Sequence, residues 1–151
     1  MQPQEPDTLA ALPLPALLRS AGGAFSGAIR RALDGAGLED VPPNGPYVLG
    51  AIARTGAPLG EVIRRLGVSK QAGGQLVDTL VSRGYLERDV DPEDRRRLVV
   101  GLTARGRSAA AVIRAAVAAV EADLIEAVGE ERVGSARVVL AALTRAGAGD
   151  G

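Results

Sequence analysis

Between residues 58 and 84 two short apolar stripes are separated by a turn of only three residues, and this spacing leaves few ways to fold. Leu59, Val62, Ile63 and Leu66 recur at i, i+3, i+4 and i+7, which places them on one face of a short helix. Gly67 supplies a left-handed stop, and Ser69 is a good N-cap for the helix that follows. The second stripe is Ala72, Gly73, Leu76, Val77 and Leu80, closed by Gly84. Two amphipathic helices meeting across Gly67-Val68-Ser69 make a helix-turn-helix. Beyond Gly84 the period changes to two. Tyr85, Glu87 and Asp89 alternate with Leu86, Arg88 and Val90, and Leu98, Val100 and Leu102 alternate with Val99 and Gly101. The polar stretch Asp91-Pro92-Glu93-Asp94-Arg95-Arg96-Arg97 turns between them, which predicts a two-stranded wing.

Helical patterns flank this core on both sides. Leu14, Leu17, Leu18, Ala21, Phe25, Ala28, Ile29 and Leu33 step by threes and fours. A second helix spans about Pro46 to Arg54, with Pro46 in the first turn, where a missing N–H does no harm. Thr103 caps a long helix striped by Ala109, Val112, Ile113, Ala116, Val117, Val120, Leu124, Ile125 and Val128. Gly129 ends it, and a last helix runs to about Arg145. From Thr103 to Val128 the long helix spans about 39 Å at 1.5 Å per residue. A small core cannot cover that length, whereas a second copy can. The expected fold is mainly α with a small β component (α+β): a winged helix-turn-helix between N- and C-terminal dimerisation helices. Its divisions are a disordered tail (1–8), a dimerisation helix and linker (9–45), the winged domain (46–102), dimerisation helices (103–146) and a second tail (147–151).

The chain carries 18 basic and 18 acidic residues, so gross charge says nothing of a partner. The distribution does. From Arg54 to Arg107 eleven Lys and Arg stand against seven Asp and Glu, a net +4 that the flanks offset. With no Cys and no His, disulfides, thiol switches, Cys/His metal sites and His- or Cys-based catalysis are excluded. No Gly-rich phosphate loop and no Gly-x-Ser-x-Gly elbow is present, so the chain does not read as an enzyme, and no cofactor or metal is expected. No apolar run reaches the roughly 18–20 residues of a membrane span. The N-terminus lacks a secretory pattern, and a cytoplasmic location is expected.

The buried stripe of the second short helix leaves Lys70, Gln71, Gly74, Gln75 and Asp78 facing out. Gln can bond adenine bidentately, and Lys can reach guanine or phosphate. Gly74 either lets the backbone approach DNA or is merely tolerated. Arg95, Arg96 and Arg97 sit on a thin hairpin, where a guanidinium can enter a narrow minor groove. The competing possibility for these arginines is a solvated charge run paired with Asp91, Glu93 and Asp94. The expected DNA-contacting set is Ser69, Lys70, Gln71, Gly74, Gln75, Arg95, Arg96 and Arg97. A scaffold that binds protein instead of DNA is the alternative; it would expose apolar residues on this face.

The stretch from Ser69 through Arg107 resembles the MarR family of winged-helix regulators. Its most specific piece is DPEDRRRLVVGLTARGR, with an Asp-x-Arg wing (Asp94, Arg96) and a Leu-Thr-x-x-Gly start to the long helix (Leu102, Thr103, Gly106). The resemblance implies a homodimer with two winged lobes on a pseudo-palindromic operator, acting as a repressor. It implies that Arg96 is the wing arginine of the minor groove and that Asp94 orients it through an ion pair. It also implies release of DNA by a small aromatic ligand, for which Phe25, Ile29, Arg30, Tyr47 and Arg54 are the candidates. The pair Gly73-Gly74 departs from the family pattern, where a β-branched or hydroxyl residue is usual.

Overall fold

The computed structural model describes residues 8–56, 58–96 and 98–147. The expected tails therefore lie almost entirely outside the described residues, as does Arg97. In chain order the elements are α1 (Leu14–Gly35), α2 (Gly45–Thr55), α3 (Leu59–Leu66), α4 (Lys70–Ser82), β1 (Leu86–Val90), β2 (Leu98–Leu102), α5 (Ala104–Val128) and α6 (Glu130–Gly147). Mainly helical, with one two-stranded sheet, this is the architecture expected from the periodicities. The chain divides into two compact units, one up to Ala116 and one from Val117. No described helix is long and apolar enough to cross a membrane.

The first unit is built on the helix-turn-helix. Gly67 ends α3 at φ 73, a left-handed value that a Cβ would oppose. Ser69 then caps α4, its Oγ accepting the N–H of Ala72 at 3.1 Å. From α4 the core takes Gly73, Val77 and Leu80, while Ala72, expected inside, is exposed. Its place at the first turn, beside the cap, turns it away from the core. Leu33 of α1, Val48 and Leu49 of α2 and Val62 of α3 complete this core, all at most 2 % exposed.

Gly73 has a packing reason. A Cβ there would meet Cγ2 of Ile63 at 2.4 Å, so α3 and α4 approach as closely as they do only because that position is bare. Gly74 beside it faces open space. Gly106, the glycine of the Leu-Thr-x-x-Gly segment, is the second close approach: a Cβ there would lie 2.0 Å from the carbonyl oxygen of Tyr85. It lets α5 start directly against the foot of the wing.

The wing is an antiparallel pair in register Leu86↔Leu102 through Val90↔Leu98. Its inner end is anchored, since Leu86 is buried, and the rest of β1 is exposed. β1 lies beside α4, and β2 beside α2.

The second unit consists of the later part of α5 and α6. Arg137 pairs with Glu121 at 2.8 Å, and Val133 is buried. Around them apolar side chains stand in solvent. Val138 is 67 % exposed, Val139 58 % and Leu143 53 %, and Leu124, Ile125 and Val128 of α5 are also exposed. The stripe expected along α5 is buried only near its start, at Ala109 and Ile113, with Ala110 buried beside them.

Candidate nucleic-acid interface

Capping and burial together decide what α4 shows. With Gly73, Val77 and Leu80 turned inward, Lys70, Gln71, Gly74 and Gln75 are all exposed along the opposite side, and Ser69 is exposed at its start. The Ser69 hydroxyl accepts the Ala72 N–H, so one of its lone pairs is already used. Thr79 donates its hydroxyl to the Gln75 carbonyl at 2.8 Å, a contact inside the helix that leaves the Gln75 amide untouched. Farther along, Asp78 pairs with Arg88 of β1, tying the helix to the wing.

The turn of the wing is shaped by its own carboxylates. Asp91 Oδ1 accepts the Glu93 N–H at 2.9 Å, and Asp94 Oδ1 accepts the Arg96 N–H at 3.0 Å. Asp94 thus engages Arg96 at the backbone, where the resemblance implied an ion pair; a short Asp side chain closes such a turn readily. Among the described residues no carboxylate forms an ion pair with Arg95, Arg96 or Lys70. Both arginines are exposed. Elsewhere on the lobe basic charge is neutralised, by Glu61 on Arg65 and by Asp78 on Arg88. Lys70, Arg95 and Arg96 lack a carboxylate partner among the described residues, as do Arg54, Arg64, Arg83 and Arg107, but the last three donate instead to the backbone carbonyls of Gly60, Asp40 and Leu102.

At the root of the wing lies a cluster that sequence reasoning missed. Tyr85, fully buried, donates its hydroxyl to Asp40 Oδ1. Arg105 at the start of α5 bonds the same oxygen at 3.0 Å, donates to the Arg83 carbonyl, and stacks over the Tyr85 ring at 4.4 Å from its centroid. Arg83 donates to the Asp40 carbonyl. The Tyr85 hydroxyl and Arg105 hold the Asp40 carboxyl below its ordinary range. Burial first, and the Asp40 bond second, push the Tyr85 hydroxyl up to about 12. Asp40, Tyr85 and Arg105 lie 20 to 65 positions apart, so no local pattern announces them.

The candidates for a small-ligand site are placed as follows. Phe25 and Ile29 of α1 are half-buried, and Tyr47 of α2 is 44 % exposed. Arg54 lies exposed in the last turn of α2. Arg30 is engaged within the fold: its Nη1 and Nη2 donate to the Val41 carbonyl at 3.1 Å, and Nη1 also to the Glu39 carbonyl at 3.2 Å. Its charge holds the loop between α1 and α2.

Residues 39–97 match the sequence model of the MarR family. No curated protein sequence matches the chain. Among solved structures, a MarR-family transcriptional regulator from Rhodococcus sp. RHA1 is 27% identical, with 85% of this chain and 89% of that one covered at TM-score 0.65. CouR from Rhodococcus jostii RHA1, solved with p-coumaroyl-CoA, is 28% identical over the same shares, also at TM-score 0.65. MepR of S. aureus, solved as a DNA complex, is 18% identical with 89% and 98% covered at TM-score 0.69, a likeness of fold alone. With the helix-turn-helix, the hairpin and the Leu-Thr-x-x-Gly start of α5 all in place, this chain holds a winged helix that over residues 39–97 is similar to the MarR family.

Proposed function

We propose that this protein is a cytoplasmic transcriptional regulator that binds double-stranded DNA through α4 and the wing. The observation that carries this reading is the unpaired basic charge. Arg95 and Arg96 have no described carboxylate partner although Asp91, Glu93 and Asp94 are adjacent in sequence, because Asp91 and Asp94 are spent on the turn. A guanidinium kept free on a narrow hairpin suits the minor groove. Lys70, Gln71 and Gln75 suit base edges and phosphates of the neighbouring major groove, with Gly74 between them. A protein-binding scaffold would present large apolar side chains there, and the only exposed apolar side chain among the described residues of this helix is Ala72.

The functional unit is a homodimer that represses from a pseudo-palindromic operator. Exposed apolar residues support it: Leu14 at 66 %, Val138 at 67 % and Leu143 at 53 % lie on helices that a second copy would cover. Two-fold symmetry sets two lobes on half-sites about one helical turn apart. A small aromatic ligand releases the DNA, by binding the lobe spacing that does not fit it. CouR, solved with p-coumaroyl-CoA, supports an aromatic acyl compound as effector. Phe25, Ile29, Tyr47 and Arg54 are the contact candidates, and Arg30 acts by holding the adjacent loop.

A gel shift against the DNA upstream of the protein's own gene tests the reading. Binding is expected to weaken with salt, as counterions are released from phosphates. Arg96→Ala is expected to lower affinity about tenfold, the order of a lost charged contact, with the fold and assembly unchanged. Equal affinity of that variant and the wild type would remove the wing from the interface.

A further inference from the structure

The two strands of the wing spring from one point. β1 begins directly after Tyr85 and β2 ends directly before Thr103. Thr103 donates its hydroxyl to the Gly84 carbonyl and accepts the Gly106 N–H at 2.9 Å, while its own N–H bonds the Tyr85 carbonyl at 3.1 Å. Asp40 reaches this point from the loop after α1, and Arg30 fixes that loop from the α1 side. Tyr85 and Arg105 meet on Oδ1 of Asp40, with Arg105 also closing the last turn of α4 at Arg83. Three segments distant in sequence thus meet at the hairpin's foot, and the Asp40 segment is tied to the other two by side-chain hydrogen bonds.

A two-stranded ribbon has little rigidity of its own, so its direction is set where it is anchored. Five residues of strand rise about 17 Å, and a tilt of about 10° at the root therefore carries the turn about 3 Å, the length of one hydrogen bond. We propose that Asp40, Tyr85 and Arg105 are positioning residues for DNA binding: they fix the angle of the wing relative to α4, and so the reach of Arg95 and Arg96. This inference rests on the DNA-binding reading above.

The test is a double-mutant cycle read by operator affinity. Tyr85→Phe removes one hydroxyl and keeps the buried ring under Arg105. It is expected to weaken operator binding about tenfold in the wild-type background, and by less than about twofold when Arg96 is already Ala, because a misplaced wing cannot lose a contact it no longer makes. Arg105→Gln, at a side chain 42 % exposed, is expected to show the same dependence on Arg96. Melting temperature and circular dichroism are measured on each variant. Losses of equal size in both backgrounds, or a lower melting temperature with unchanged affinity, would overturn the positioning role while leaving DNA binding standing. A wild-type protein that binds no DNA would overturn the proposed function, and this inference with it.

Discussion

Replacing Gly73 by Ala puts a known volume into a known place. The new methyl would stand 2.4 Å from Ile63 Cγ2, and ordinary contact begins at 3.4 Å, so α3 or the Ile63 side chain must yield by about 1 Å. Ile63 is β-branched and stiff at χ1, and on a helix of eight residues held by Val62 in the core it has little room to turn. Overpacking of this kind costs about 1–3 kcal/mol. Removing a glycine from a helix interior returns about 1 kcal/mol, so Gly73→Ala is expected to be destabilising by up to about 2 kcal/mol. Gly74→Ala supplies the internal control. It brings the same propensity gain into open space and is expected to stabilise by about 1 kcal/mol. Urea unfolding at fixed protein concentration reads both. The double substitution Ile63→Ala with Gly73→Ala removes the Cγ2 and is expected to recover much of the packing loss as a favourable coupling. A Gly73→Ala protein as stable as Gly74→Ala would refute the claim that close helix approach requires the bare position.

Tyr85 gives an alkaline signature. Its hydroxyl is raised from 10.0 to about 12 in the fold. A raised value means the folded state holds the proton more tightly, so the stability it contributes is whole below pH 10 and lost as pH rises toward 12. Chemical unfolding across that range is expected to show a fall in the wild type that Tyr85→Phe lacks; identical profiles would contradict the assignment. For assembly, Leu143→Glu is expected to shift sedimentation from dimer to monomer at micromolar concentration while helix content stays constant. A variant that remains dimeric would take α6 out of the interface.

The sequence displayed this fold where structure is local. The stripe Leu59, Val62, Ile63 and Leu66, the stop at Gly67 and the change to period two after Gly84 each arise within a few residues, and α3, α4 and both strands follow them closely. The exposed face of α4 followed for the same reason, since fixing the inward residues fixes the outward ones. Less was legible where partners come from far along the chain. The reason for Gly73 is a methyl group ten positions earlier, and the reason for Gly106 is a carbonyl oxygen at Tyr85. Arg30, a ligand-contact candidate in the sequence, is a clamp on a loop. The role of Asp94 turned on whether a short carboxylate meets a guanidinium or a backbone N–H, a choice made by turn geometry. The stripe on α5 was visible, but its later part, at Leu124, Ile125 and Val128, stays exposed within this chain.

The hairpin also carries a hazard that its sequence answers. In a sheet of two strands each strand keeps one edge with unpaired N–H and C=O groups, and such an edge is a template on which another chain can add a strand. β1 exposes Glu87, Arg88 and Asp89 in succession, charges of alternating sign that an incoming apolar strand would have to desolvate. β2 is the apolar member, with Val99 and Val100 half-covered, and it is the strand beside α2. The arrangement keeps an outstretched ribbon from nucleating aggregation, and it implies that neutralising Glu87 and Asp89 together would trade solubility for β-propensity at this edge.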